Sequence, residues 1–179
     1  MNMNEPIMNE ALTKDPGFYL EIVNWLNREV ELLDLLEERQ WMETMVSKDI
    51  VYQMPLRTTV ERARGLGFVD KAFHLDERYG SLDAKVRRNE TGLAWAEDPP
   101  SRVRHHVSNI RVGERQGDRV SVRSNVLVFR TRQENVVPNI YSGERHDVLG
   151  IENGDWRLLK RVIYLDHTAI PAHNLAFFF

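Results

Sequence analysis

The first third of the chain shows the hydrophobic spacing of α-helices. Asp15 followed by Pro16 is a typical helix start, with the aspartate as N-cap and the proline in the first turn. Apolar residues then recur every three or four positions, at Phe18, Ile22, Trp25, Leu26, Val30 and Leu33. This spacing predicts a long helix with one apolar face. A charged interruption at 37–39 separates it from a second, short helix predicted over 40–46.

The second half of the chain has the composition and turn signals of β-strands. A short β-rich run at 49–55 and a predicted helix at 81–89 precede it, while 57–74 is mixed, with a loop at Gly65-Leu66-Gly67. After the DPPS sequence at 98–101, long strands are predicted at 103–112, 119–132, 139–151 and 156–167. Turns are predicted at 116–118, 133–138 and 152–155, and the last contains Asn153-Gly154, a strong hairpin signal.

Helices followed by a meander of long strands predict an α+β fold with one domain. The strand at 119–129 keeps one apolar face throughout, while its other face changes from polar to apolar midway. This change favours a strongly curved antiparallel sheet wrapped over the helices. We expect a flexible N-terminal arm over residues 1–12 and a single domain over 13–179.

Composition limits the classes of function. Of 179 residues, 42% are hydrophobic and 28% charged, as in ordinary globular proteins, and the net charge of −3 gives no electrostatic case for nucleic acid or membrane partners. The chain has no cysteine, which excludes disulfides, thiolate zinc sites and cysteine-ligated iron–sulfur clusters within it. No signal sequence or membrane span is recognised, so we expect a cytoplasmic protein.

Motif searches yield no catalytic, cofactor or metal site. His105 and His106 are adjacent on a predicted strand, so they point to opposite faces and are poorly placed to share an ion. The two glycines at 65 and 67 lack the third glycine of a dinucleotide fingerprint.

Two alternatives stay open for the polar residues on the strands. One is a structural ion pair at Arg145 and Asp147, either across the sheet or between subunits. The other is an acid/base pocket, enclosed by the curved sheet, with the following candidate residues: Asp49, Tyr52, His105 and Asp147.

The chain closes on Phe177, Phe178 and Phe179. Burying one phenylalanine contributes about 1.5–3 kcal/mol, so three exposed rings would form a costly apolar patch. We therefore expect this segment to dock on its own domain or on another chain.

Several stretches resemble the small (beta) subunit of bacterial aromatic-ring-hydroxylating dioxygenases of the biphenyl and naphthalene dioxygenase type. The most specific is AWAEDPPSRVRHHVSN at 94–109. The others are DIVY at 49–52 with MPLR at 54–57, YSGERHD at 141–147, Trp156 with Lys160-Arg161, and Leu165-Asp166 with NLAFF at 174–178. Their order and spacing together carry the resemblance, which runs from about Phe18 to the last residue.

The resemblance implies a cystatin-like or NTF2-like cone and a hexamer of three large (alpha) and three small subunits. In that family the large subunit holds a Rieske iron–sulfur cluster and a mononuclear iron and performs the dihydroxylation, with ferredoxin and reductase as further components. The small subunits would form a trimeric base. The implied role is therefore a non-catalytic subunit of an oxidoreductase that uses NADH and oxygen to convert arenes to cis-dihydrodiols.

Two other functions remain: a stand-alone dehydratase or isomerase on the same fold, and a homotrimer with a ligand-binding role only. For the subunit interpretation, the predicted interface residues are Trp95, Pro99, Arg102, Arg104, Arg145, Asp147, Phe177, Phe178 and Phe179.

Overall fold

The computed structural model describes residues 9–91, 99–170 and 175–179. The helices are α1 (Glu10–Lys14), α2 (Pro16–Asp34), α3 (Glu38–Met45) and α4 (Tyr79–Glu90). The strands are β1 (Val46–Arg57), β2 (Phe68–Glu77), β3 (Arg102–Val112), β4 (Arg119–Thr131), β5 (Asn139–Glu152) and β6 (Asp155–Leu165). A short 3-10 turn lies at Arg62–Arg64. The predicted α+β fold is confirmed.

The six strands form one sheet in the order β2-β1-β6-β5-β4-β3. Neighbouring strands are antiparallel except β1 and β6, which run parallel. Irregular register in β3, between Ser108 and Arg111, and in β6, between Leu158 and Lys160, adds local bending. The predicted hairpin at Asn153-Gly154 is confirmed, since both residues have positive φ, at 54° and 92°.

Helix α2 forms as its sequence predicts. The Asp15 side chain accepts a hydrogen bond from the Phe18 N–H at 3.0 Å, which caps the first turn. The buried residues of the helix are Phe18, Ile22, Leu26, Glu29, Leu32 and Leu33, so its apolar stripe faces the sheet. The helix ends before Leu36, whose φ of 62° breaks the path and allows α3 to begin at Glu38.

Two parts of the structure differ from the sequence prediction. Strand β2 begins at Phe68, inside the segment predicted as mixed, and it is an edge strand with half-exposed residues and weak alternation. Helix α1 begins at Glu10, inside the predicted arm, and Ala11 is only 4% exposed because it packs in the core. Residues 1–8 of that arm lie outside the described residues.

The inner face of the sheet and the helices enclose the interior of the cone. On β5 the inner face is formed by Tyr141, Gly143, Arg145, Asp147 and Leu149, all buried. A Cβ at Gly143 would lie 2.7 Å from the main-chain oxygen of Tyr164, so only glycine fits the close approach of β5 to β6. This interior contains most of the polar groups considered below.

Candidate functional site: the interior of the cone

The segment of residues 175–179, called the tail here, lies inside the chain's own core. Phe177, Phe178 and Phe179 are 7%, 2% and 0% exposed. The ring of Phe178 lies 4.7 Å from that of Trp41, and Phe177 lies 5.1 Å from Tyr141. The tail therefore docks on its own domain and not on another chain.

A cluster of four buried ionised residues lies beside the tail. This ion-pair cluster consists of Glu29, Arg145, Asp147 and Arg161, each at most 1% exposed. Asp147 and Arg161 are register partners on β5 and β6, and the Arg161 guanidinium binds both carboxylate oxygens, at 2.8 and 2.7 Å. Because this contact is bidentate, it fixes the geometry of both side chains.

Helix α2 supplies the second carboxylate of the cluster. Glu29 follows Leu26 by three residues and therefore lies on the same buried face. Its Oε2 accepts from Arg161 at 2.7 Å and from Arg145 at 3.3 Å, and its Oε1 accepts from the Trp41 indole at 3.2 Å. Two carboxylates thus face two guanidiniums, so the cluster has no excess charge.

Burial and neighbouring charges shift the pKa values in the cluster. Burial acts to lower the pKa of Arg161, but the attraction of Asp147 and Glu29 outweighs it and holds that pKa well above its usual value. The pKa of Arg145 is lowered by burial and by the repulsion of Arg161. Burial raises the pKa of Tyr52 to about 12. Tyr52 therefore remains a neutral hydroxyl at ordinary pH.

His105 and Asp34 form a buried dyad. The Nδ1 of His105 lies 2.7 Å from Oδ1 of Asp34, and Nε2 lies 2.8 Å from the main-chain oxygen of Phe178. The same carboxylate accepts the His105 main-chain N–H at 3.0 Å and Arg104 at 3.2 Å. An Asp–His pair can act as a general base when the outer ring nitrogen meets a substrate. Here that nitrogen contacts the tail.

Lys85, on α4, binds the tail from the other side. Its ammonium donates to the main-chain oxygen of Phe177 at 2.7 Å and lies 4.4 Å from the ring centroid of Phe178. Burial lowers its pKa from 10.5 to about 8, against the opposing attraction of Glu38 and Glu77.

We expect Lys85 to make the stability depend on pH between about 8 and 10. In this range the unfolded chain holds a proton that the folded chain has lost, so the free energy of unfolding rises with pH. The Lys85→Met variant should lack this rise. Urea unfolding at pH 8, 9 and 10 measures it, with Lys14→Met as the matched control on an exposed lysine. Equal pH slopes in wild type and Lys85→Met would show that Lys85 keeps its ordinary pKa.

The predicted pairing of Arg145 and Asp147 needs a correction. Both residues form ion pairs, but among the described residues Asp147 pairs with Arg161 and Arg145 with Glu29. The two lie two positions apart on one strand, side by side, and each meets a partner from another element. The pairs are within the chain, and the chain itself covers both side chains.

The other interface candidates lie elsewhere. Pro99, Arg102 and Arg104 are exposed, and Arg102 donates to Thr131 at 3.1 Å and to the main chain of Gln133 at 2.7 Å. Trp95 lies outside the described residues. In this conformation, therefore, only three of the described candidates present their side chains to solvent; the phenylalanines, Arg145 and Asp147 are buried.

The alternative acid/base set does not converge. Asp49 is exposed on β1, whereas Tyr52 and Asp147 both face Arg161 in the interior. The acid that contacts His105 is Asp34. His105 and His106 do lie on opposite faces, one buried and one exposed, as predicted.

Sequence reasoning missed four residues of this interior: Glu29, Asp34, Lys85 and Arg161. A signal existed for Glu29, because it occupies a position of the apolar stripe of α2. For Arg161, alternation along β6 is interrupted near Leu158 to Lys160, which hides its inward direction. Asp34 and Lys85 lie at positions whose direction depends on how the helices pack.

A second notable surface lies on the opposite face of the sheet. Leu127, Phe129 and Ile140, called the outer patch here, are 42%, 40% and 46% exposed. Phe129 pairs with Ile140 on one side and with Arg104 on the other, so the patch lies on β4 and β5 and borders β3.

Among the described residues, no three histidine, aspartate or glutamate side chains are grouped to hold a metal ion. In the same parts of the chain, no helix is long and apolar enough to cross a membrane.

Comparison with known proteins identifies the family. The model of the ring hydroxylating beta subunit family matches residues 28–172. The chain belongs to the ring-hydroxylating beta subunit family. The 3-phenylpropionate/cinnamic acid dioxygenase subunit beta of Photorhabdus laumondii subsp. laumondii is 34% identical over 185 residues, covering 99% of this chain and 100% of that protein.

Solved structures show the same fold. A chain of naphthalene 1,2-dioxygenase superposes with a TM-score of 0.80 at 24% identity, covering 92% of this chain and 87% of that one. A proposed scytalone dehydratase from Novosphingobium aromaticivorans superposes with a TM-score of 0.61 at 15% identity, covering 87% and 88%. The predicted family resemblance and the NTF2-like cone are therefore confirmed.

Proposed function

We propose that this beta subunit is the non-catalytic scaffold of a cytoplasmic oxygenase that converts arenes to cis-dihydrodiols. Three copies would hold three large subunits in a hexamer, so that electrons pass from the Rieske cluster of one large subunit to the mononuclear iron of its neighbour. Ferredoxin and reductase would deliver the electrons from NADH. Family membership over residues 28–172 carries this proposal, and the role of the Photorhabdus relative as a dioxygenase subunit supports it.

The donor set of this chain does not fit either iron group. A Rieske cluster needs two cysteines and two histidines, and the chain has no cysteine. A mononuclear iron of this class is held by two histidines and a carboxylate, and no such group of three occurs among residues 9–91, 99–170 and 175–179. The proposal therefore assigns both groups to the large subunit and no redox step to this chain.

The filled interior supports a structural role. The Nε2 of His105, the atom through which an Asp–His dyad would act as a base, is occupied by the main-chain oxygen of Phe178 at 2.8 Å. The tail rings pack against Trp41 and Tyr141. A stand-alone dehydratase or isomerase would need this space for its substrate, so that alternative is not favoured.

The outer patch is our proposed contact between copies of this chain in the trimer. Three large apolar side chains stand in solvent on a rigid sheet, and Arg104 lies beside Phe129. Apolar groups bordered by arginine are typical of protein interfaces. Arg102 and Pro99, at the start of β3, would lie at the rim of this contact.

A charge placed in the outer patch is expected to break the assembly without unfolding the chain. Phe129→Glu would bury a carboxylate in the contact, and we expect the assembled complex to fall at least about tenfold in amount. Analytical ultracentrifugation measures the complex, and thermal unfolding checks the fold. Phe73→Glu, on edge strand β2 at 36% exposure, is the matched control and should assemble normally. Normal assembly of Phe129→Glu would place the contact elsewhere.

The proposal is tested by co-expression of this chain with a large (alpha) oxygenase subunit from the same organism. A tag on this chain should recover both subunits in equal amounts, with arene dihydroxylation by the complex and none by the isolated chain. The absence of such a partner, or turnover of a dehydratase or isomerase substrate by the isolated chain, would contradict the scaffold role.

A further inference from the structure

The main-chain oxygens of the tail each accept a hydrogen bond from a side chain. Four consecutive residues are involved, and no donor is a sequence neighbour of the tail. Ala176 accepts from Asn89 at 3.3 Å, Phe177 from Lys85 at 2.7 Å, Phe178 from His105 at 2.8 Å, and Phe179 from Arg161 at 2.5 Å. The N–H of Phe179 also donates to the Tyr52 hydroxyl at 2.8 Å.

The side chains that bind the tail come from separate elements of the fold. Asn89 and Lys85 lie on α4, His105 on β3, Arg161 on β6 and Tyr52 on β1. The tail does not join the sheet as a further strand, since its oxygens meet side chains. Strand addition would need only a free sheet edge, whereas this arrangement needs donors placed by the whole fold.

Two of these side chains are themselves held in place by neighbours. The ring of His105 is fixed by Asp34 at 2.7 Å. Because Asp34 and the Phe178 oxygen both offer acceptor atoms to that ring, Nε2 carries the hydrogen that binds the tail. Arg161 is fixed by Asp147 and Glu29. Preorganised donors of this kind are characteristic of a binding site.

The side chains of the tail also occupy separate aromatic contacts. Phe178 lies between the ring of Trp41 and the ammonium of Lys85. Phe177 and Phe179 both pack on Tyr141, at 5.1 and 5.9 Å between ring centroids. Main-chain oxygens and side chains are therefore recognised together, residue by residue.

From these contacts we propose that the interior of the cone is a binding site for an extended peptide with consecutive aromatic residues. Its resident ligand is the chain's own tail. The site accepts the same sequence from a separate peptide once the covalent connection is cut. The inference does not depend on the proposed scaffold role.

The test begins with the intact folded chain. A protease site is placed at residues 171–174, the folded protein is cleaved there, and the products are separated by gel filtration. The freed tail is expected to elute with the body of the chain. A fluorescent peptide, Lys-Lys-Leu-Ala-Phe-Phe-Phe, should then replace it on prolonged mixing and give a saturable rise in anisotropy.

Two comparisons make the test specific. The same peptide with leucine at all three phenylalanine positions should bind at least about tenfold more weakly, since it lacks the ring contacts. Lys85→Met in the body should lower the affinity for the original peptide by about tenfold or more, because the Phe177 oxygen loses a charged donor. Lys14→Met, which removes an exposed lysine on α1, should leave the affinity unchanged.

The folded state of the cleaved body, with and without the added peptide, decides whether the interior is a peptide-binding site. If the cleaved body unfolds and the added peptide restores its near-ultraviolet circular dichroism, the site is supported. The inference is overturned if the freed tail leaves a body that stays folded, or if the peptide fails to restore an unfolded one. Equal binding of the leucine peptide, or no effect of Lys85→Met, would also overturn it by showing unspecific apolar association.

Discussion

A chain that lacks residues 177–179 is expected to be unfolded already at 25 °C. On heating it should therefore show no cooperative unfolding transition. Each of the three rings is at most 7% exposed, and removal of a buried phenylalanine side chain typically costs about 3–5 kcal/mol. Together the losses are on the order of 10 kcal/mol, which is as large as the whole stability of an ordinary domain. Thermal unfolding followed by near-ultraviolet circular dichroism measures the transition.

A single substitution tests the same prediction in graded form. Phe178→Ala should lower the free energy of unfolding by about 3–5 kcal/mol, because its ring fills the space between Trp41 and Lys85. Phe73→Ala, at a half-exposed phenylalanine, is the matched control and should cost far less. If the shortened chain assembles fully and unfolds at the unchanged temperature, the tail has no structural role.

The Arg161→Met variant is expected to lose about 3–5 kcal/mol of stability at neutral pH. This guanidinium binds Asp147 through two nitrogens and also binds Glu29 and the main-chain oxygen of Phe179. Its removal leaves two carboxylates buried with Arg145 as the remaining cluster cation. Urea unfolding at pH 7 measures the loss.

Two further variants distinguish charge from geometry in this cluster. Arg161→Lys keeps the charge but lacks the planar fork that meets Asp147, so we expect an intermediate loss. Arg119→Met, at an exposed arginine on β4, should change the stability by less than about 0.5 kcal/mol. A loss at Arg161→Met no larger than that of Arg119→Met would mean that the cluster adds nothing to the fold.

The elements that the sequence predicted well are those with a strong local signal. Helix α2 has a proline start and an unbroken apolar stripe, and the β5–β6 hairpin has Asn153-Gly154. Strand β2 lacked such a signal, because an edge strand alternates weakly. The break between α2 and α3 lies at residues 35–37, two residues before the predicted interruption at 37–39. It was misplaced because Leu36, which has a positive φ, is not a typical residue for a helix end.

The interior was predicted less well because it depends on contacts between distant residues. The need of three phenylalanines to dock could be read from their number and apolar character. Their position could not, since the side chains that bind their main chain come from α4, β3, β6 and β1. The partner of Asp147 was likewise hidden, because it follows from the register of β5 against β6.

A scaffold subunit contributes to assembly and takes no part in the oxygenation chemistry. The most direct measurement is the rate of arene dihydroxylation per mole of assembled complex, for wild type and for Asp34→Asn. This substitution removes the carboxylate of the buried dyad of His105 and Asp34, with little change of shape. If this chain is a scaffold, the rate per complex is unchanged in Asp34→Asn, even where the yield of complex falls. Full assembly with loss of the rate would contradict it.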